Sequence, residues 1–196
     1  MLVEALLLSL IFGLIFGGKL GRLKSIHFKY PWIIFLALFT RYLPRILDIP
    51  FLYSKLQIPS SFLAPWFFIL SYVILLFALL INTHYKEVWL AAAGTALNFL
   101  VVALNRGFMP VSEVALRANG FPMEKISDGL IDMNHILSSK STRLLILGDI
   151  IPLAKFYPLK KIISIGDIIL CVGVFLFVFL KLRRAPKTEL DDPQSS

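Results

Sequence analysis

The chain has 196 residues, 58% of them hydrophobic, with 20 lysines and arginines against 12 acidic residues and a formal net charge of +8. That length is one domain, and with a mean hydropathy of +0.80 the apolar fraction exceeds what a soluble core of this size uses, so the main solvent is read as lipid. A single cysteine, Cys171, excludes an internal disulfide and a thiolate zinc site, and basic residues that flank apolar runs without interleaved aromatics exclude nucleic acid as the expected partner.

Five apolar runs follow in chain order. Residues 2–18 carry only Glu4, residues 30–47 open apolar and acquire Arg41 and Arg45, residues 62–82 and 88–104 carry no charge, and residues 162–180 carry only Asp167. Each approaches the ~20 residues that cross a ~30 Å hydrocarbon layer as helix. The expected fold is an all-α integral membrane protein with about five transmembrane helices in one polytopic domain over residues 1–180. The first run has no basic leader and no Ala-x-Ala site, so it is expected to remain attached. Lys19, Arg22, Lys24 and Lys29 follow it with no acid between them, which sets that loop on the cytoplasmic side and the N-terminus outside. Alternation then puts residues 105–161 outside and the tail, residues 181–196, in the cytoplasm, where its acidic, Pro- and Ser-containing end predicts disorder. Gly13, Gly17 and Gly21, and the small residues from Ala91 to Ala96, are read as close helix-packing surfaces.

The outer segment is read as an outward-facing interfacial or re-entrant helical segment. Residues 110–118 predict a short helix with Asn119-Gly120 as its stop. Residues 122–137 place Met123, Ile126, Leu130, Met133 and Leu137 at steps of three and four, with Glu124, Lys125, Asp128, Asp132 and His135 largely off that stripe, which predicts an amphipathic helix along the interface. Residues 144–153 are apolar apart from Gly148 and Asp149, and too short to cross.

Gly-Asp-Ile-Ile occurs twice, at 148–151 and at 166–169, with the aspartates 18 residues apart. Pro152 and Pro158 prevent one continuous helix, so the chain turns after 153 and re-enters, bringing both Gly-Asp units to the outer boundary. A carboxylate at membrane depth usually faces an interior and has a task. Against that, Ser164-x-x-Asp167 fits a helix-capping box, and Asp149 has Arg143 and Lys161 as candidate ion-pair partners. Asn98, within the fourth run, and Asn105-Arg106-Gly107, which ends it, are read either as ligand-binding groups or as an inter-helix hydrogen bond and a helix stop. Arg41 and Arg45, one turn apart with Asp48 beyond, can clamp a phosphate or carboxylate or snorkel to the interface. His27 and His84 fall in separate inner loops and His135 lies outside. No metal-ligand spacing results, and neither a metal nor a cofactor is expected.

The stretches LNRGFMPV (104–111), LGDIIPL (147–153) and SIGDIIL (164–170), after apolar N-terminal runs, resemble the bacterial membrane family called domain of unknown function 5317 over nearly the whole chain. That resemblance implies a multi-pass bacterial membrane protein, hence the cytoplasmic membrane, and no particular activity. Gly148-Asp149 and Gly166-Asp167 followed by Gly173, with Asn105-Arg106-Gly107, also resemble elements of signal peptidase II, whose two aspartates lie near the outer membrane face. The chain departs from that family in its five expected spans and in lacking the Gly-Asn-x-x-Asp-Arg motif. The expectation is an outward-facing polar site built on Asp149 and Asp167, with His135 among the ligand-binding candidates, in a binding, sensing or accessory module that is not an enzyme. The alternatives are an aspartyl membrane peptidase and a small cation- or proton-coupled transport component. Expected partners are the lipid bilayer and another membrane protein or a lipid-side substrate.

Overall fold

The computed structural model describes residues 1–47, 60–126, 129–153 and 161–183. Helices stand where the five apolar runs predict them: α1 (Leu2–Ile15), α2 (Trp32–Leu47), α3 (Ser60–Leu80) and α4 (Val88–Leu104), then a six-residue α5 (Glu113–Ala118), and α6 (Ile165–Arg183). Among the described residues, Phe62–Leu80 and Ile165–Arg183 are long and apolar enough to cross a membrane, and Leu2–Ile15 and Val88–Leu104 are apolar but shorter.

The helices form a row, with α1 on α6, α6 on α4, α4 on α3 and α3 on α2. Lys161, just before α6, donates to Glu4 at 2.9 Å, and Gly13 lies against Leu182, so α1 and α6 run parallel. Between α4 and α6 the contact is backbone to backbone. A Cβ on Gly94 would strike the Leu170 amide nitrogen and the Gly166 carbonyl, and one on Gly173 would strike the amide nitrogen of Ala91. Small residues let the two helices approach this closely. The other glycine series behaves differently, because α1 ends at Ile15: only Gly13 packs against α6, while Gly17 takes a positive φ of 80° in the following turn and Gly21 has open space.

At one end, called here the base, Arg22 Nη1 donates to the carbonyls of Leu182 (3.0 Å) and Arg183 (2.6 Å) and so caps α6 with a residue of the basic loop. Asn82, fully buried there, accepts from the Lys29 amide at 2.6 Å and donates to the Lys29 and Ala78 carbonyls at 3.0 and 2.8 Å. At the other end Asn105 repeats the device. It accepts from the Arg143 amide at 3.0 Å and donates to the Arg143 and Val101 carbonyls at 2.9 and 2.8 Å. Each asparagine mimics a peptide group and fastens a distant loop to the end of a helix.

That second end carries a cap that corrects the all-α expectation. Strand β1 (Met109–Val111) pairs in parallel with β2 (His135–Leu137), and β3 (Ile151–Pro152) pairs antiparallel with β4 (Ile162–Ile163). Residues 122–137 are therefore not one amphipathic helix. A 3-10 turn covers Met123–Lys125, Gly129 has φ +79°, and the Asp132 carboxylate accepts from the amides of Asn134 (2.7 Å) and His135 (3.0 Å). An aspartate that satisfies nearby amides offers the backbone an alternative to helix, and the buried strand β1 supplies a pairing partner that sequence spacing does not reveal. The helix expected over 110–118 begins only at Glu113, because Ser112 serves as its N-cap and Val111 belongs to β1, leaving Val114 exposed. Its stop at Asn119-Gly120 stands, with Gly120 at φ +65°. The expected turn after 153, Asp48 and the tail beyond Arg183 lie outside the described residues.

Candidate functional site

Both Gly-Asp units reach the cap end of the bundle, in different backbone settings. Gly166-Asp167 opens α6. Ser164 Oγ accepts from the Asp167 amide at 2.9 Å, and Asp167 Oδ2 accepts from the Ser164 amide at 3.3 Å, which closes the capping box the Ser-x-x-Asp spacing predicts. Asn98 of α4 donates to Asp167 Oδ1 at 2.8 Å and accepts from Ser164 Oγ at 2.8 Å. Asn98 sits so close that a Cβ on Gly166 would collide with its Oδ1. Both oxygens of Asp167 are thus engaged, and Asn98 is the inter-helix hydrogen bond.

Gly148-Asp149 lies in extended chain beside β1. The Asp149 amide donates to the Pro110 carbonyl, its own carbonyl accepts from the Ser112 amide, both at 2.9 Å, and a Cβ on Gly148 would sit 2.6 Å from the Pro110 carbonyl oxygen. The carboxylate is buried. Among the described residues it pairs with neither Arg143 nor Lys161; instead Oδ2 lies 3.6 Å from His135 Nε2, and Oδ1 has no hydrogen-bond partner there. His135 in turn places Nδ1 2.8 and 2.9 Å from the two carboxylate oxygens of Asp132. Burial pushes the Asp149 carboxyl up to about 7; Asp167 and Asp132 push it the same way, and His135 and Arg41 pull against them. Asp132 goes down to about 2: its burial raises it, and the bonds from His135, the positive side of the ring and the two backbone amides outweigh that. Asp132 was placed by spacing alone on the polar face of a helix, and its role as the partner of His135 was missed, although Asp-x-x-His is the spacing of an aspartate-held turn.

A cleft of about 880 Å³ opens among α1, α2, α3, α4 and α6. α1 and α2, the two ends of the row, both line it. Glu4, Arg41, Tyr72, Asn98, Lys161 and Asp167 line the part nearest the cap, and Leu75, Leu79, Val174 and Phe177 line the part nearest the base. Arg41 holds its guanidinium 4.4 Å above the Phe68 ring. Arg45, by contrast, is exposed over Tyr42 at 5.5 Å and does not line the cleft, so the two arginines do not converge on it as a clamp. Asn105 is spent on Arg143, and Arg106 is exposed in the turn with φ +58°. Among the described residues no group of three or more His, Cys, Asp or Glu side chains has the arrangement of a metal site.

The fold and site define a mostly helical protein: among the described residues, a row of five long helices with a small β-cap and a polar-ended cleft. The chain belongs to the family of unknown function DUF5317, which residues 25–179 match. It is 28% identical over 186 residues, 93% of each chain, to an uncharacterized protein of Thermotoga maritima. No solved structure matches it significantly.

Proposed function

We propose that the chain is a multi-pass protein of the bacterial cytoplasmic membrane and a binding module for an amphipathic molecule drawn from the lipid phase. All five long helices cross or enter the bilayer in this reading, with the N-terminus outside and the base, bearing Lys19, Arg22, Lys24 and Lys29, in the cytoplasm. The outer surface supports it: Val3, Leu7, Leu8, Ile11 and Ile15 of α1 and Trp32, Phe35 and Phe39 of α2 are all exposed. Soluble monomers rarely display contiguous apolar surface on that scale.

The cleft is the observation that carries the binding role. Its volume falls within the ~300–1,000 Å³ of small-molecule sites, and apolar walls with a few convergent polar groups are how such sites fix orientation. Chains of the ligand lie along Leu75, Leu79 and Phe177, and its polar head meets Arg41, Asn98 and Asp167. In this reading it enters sideways from the bilayer between α1 and α2, which both line the cleft. Native mass spectrometry of the purified protein tests this, with wild type expected to carry bound lipid and Leu75→Trp, which fills the cleft, to lose it while keeping its helical circular dichroism. Equal retention by both proteins would overturn the reading. Topology is checked by labelling cysteines placed at Ser25 and Ser139 in a Cys171→Ala background with an impermeant reagent in intact cells: Ser139 labels and Ser25 does not.

A further inference from the structure

We propose that Asp132, His135 and Asp149 form a proton-binding relay in the cap, in which a proton from water enters through the Asp132–His135 pair and is held on the buried Asp149. The relay is independent of the cleft, which Asp149 does not line.

The geometry leads to a proton from three sides. His135 Nδ1 lies within hydrogen-bond distance of both oxygens of Asp132, so in the neutral ring the hydrogen resides on Nδ1 and the lone pair on Nε2. Nε2 aims at Asp149 Oδ2, 3.6 Å away. An unprotonated ring nitrogen facing an ionised carboxylate presents lone pair to lone pair, and only a proton between them turns the contact into an attraction. The second side is exposure, which falls stepwise along the chain of groups: the side chains are 42% exposed at Asp132, 28% at His135 and 9% at Asp149. Water reaches the first pair and not the end of the line. The third side is Asp149 Oδ1, buried without a hydrogen-bond partner. An ionised carboxylate with a bare buried oxygen is costly, and the neutral acid relieves most of that cost.

The charged and titratable groups facing Asp149 from the packed elements act in both directions. Arg41 of α2 and His135 of β2 favour the ionised form, Asp132 and Asp167 of α6 oppose it, and Tyr72 of α3 lies within reach of its field. Burial outweighs them all and holds the proton on Asp149 until about pH 7. The transfer balances simply. A hydronium ion gives its proton to Nε2 and leaves as water, producing an imidazolium whose Nδ1–H stays on Asp132; the Nε2–H bond then breaks as an O–H bond forms at Asp149 Oδ2, and His135 returns to neutral. The contact closes to a hydrogen bond of about 2.8 Å for that step.

Infrared titration of the full chain in lipid nanodiscs reads the site directly. A carbonyl band from one protonated carboxylic acid is expected at pH 6, disappearing by pH 9 with half-loss near 7, and absent in Asp149→Asn. In His135→Gln, which removes the imidazole whose protonated form favours ionisation of Asp149, the half-loss moves upward. Nitrogen NMR at pH 8 is expected to find the ring hydrogen of His135 on Nδ1 in wild type and a mixture of tautomers in Asp132→Asn. No band at pH 6, or a band that survives Asp149→Asn, would overturn proton binding. A half-loss that His135→Gln leaves in place would overturn the relay, and this variant serves even where Asp149→Asn does not fold.

Discussion

The same four residues, Gly-Asp-Ile-Ile, occur twice at one end of this molecule, and their carboxylates are partnered in opposite ways. At α6 the glycine admits Asn98, and the aspartate's carboxylate accepts from the Ser164 amide on one oxygen and from the asparagine on the other. Beside β1 the glycine admits the Pro110 backbone, and the aspartate is left with a histidine at 3.6 Å on one oxygen and nothing on the other. A fully partnered buried carboxylate holds structure together. An under-partnered one stores a cost that a proton or ligand can release, and that is why the second copy is the stronger candidate for chemistry.

The widest separation between the two copies is expected from pH. Folding raises the Asp149 carboxyl from 3.8 to about 7, so the folded state binds the extra proton. Its contribution is fully present below about pH 4, declines as pH rises, and is lost above about 7. The loss is on the order of 4 kcal/mol at 1.4 kcal/mol per unit. Thermal unfolding followed from pH 4 to 8 should show this decline in wild type and lack it in Asp149→Asn, which becomes the more stable protein at pH 8.

Next in size is the packing under the helical copy. Gly166→Ala drives a methyl into Asn98 and should cost about 1–3 kcal/mol, the usual range for overpacking. Gly148→Ala, whose Cβ would meet the Pro110 carbonyl oxygen at 2.6 Å and the Leu145 carbonyl oxygen at 3.1 Å, should fall in the same range by the same measurement.

Ser164→Ala removes the hydroxyl that caps α6 and bonds Asn98, and denaturant unfolding should register about 1 kcal/mol. No shift in the infrared half-loss of Asp149 should accompany it, which keeps the two copies distinct.

The smallest expected effect is at Asp132. Its carboxyl falls to about 2, so its stabilisation is present above about pH 4 and lost as pH drops through 2, opposite in sense to Asp149. Because its side chain is 42% exposed, Asp132→Asn should cost no more than about 1 kcal/mol at pH 7, while changing the His135 tautomer.

How much of this was legible in the sequence divides by range. The five apolar runs became five helices, the run of small residues from Ala91 became the seam against Gly166 and Gly173, and Ser164-x-x-Asp167 became a closed capping box. Family membership, too, followed motifs that stand in the chain as written. The cap was misread because the 3.6-residue stripe from Met123 to Leu137 is real as spacing, yet Asp132 and Gly129 supply local turns and β1 supplies a strand edge. Arg41 and Arg45 share a helix and a spacing, but one faces the cleft and the other lies exposed over Tyr42.

What the sequence determined by itself was therefore local: where apolar length favours helix, where a side chain caps its own backbone, and where a missing Cβ permits close approach. Only the tertiary structure decided the rest. It joined Asn98 to Ser164 and Asp167, 66 and 69 residues away, and Asn105 to Arg143, 38 residues away; it brought His135 to Asp149 and left Asp149 Oδ1 alone. Hydrogen-bond satisfaction depends on which groups arrive from elsewhere in the fold, and two identical tetrapeptides carry no information about that.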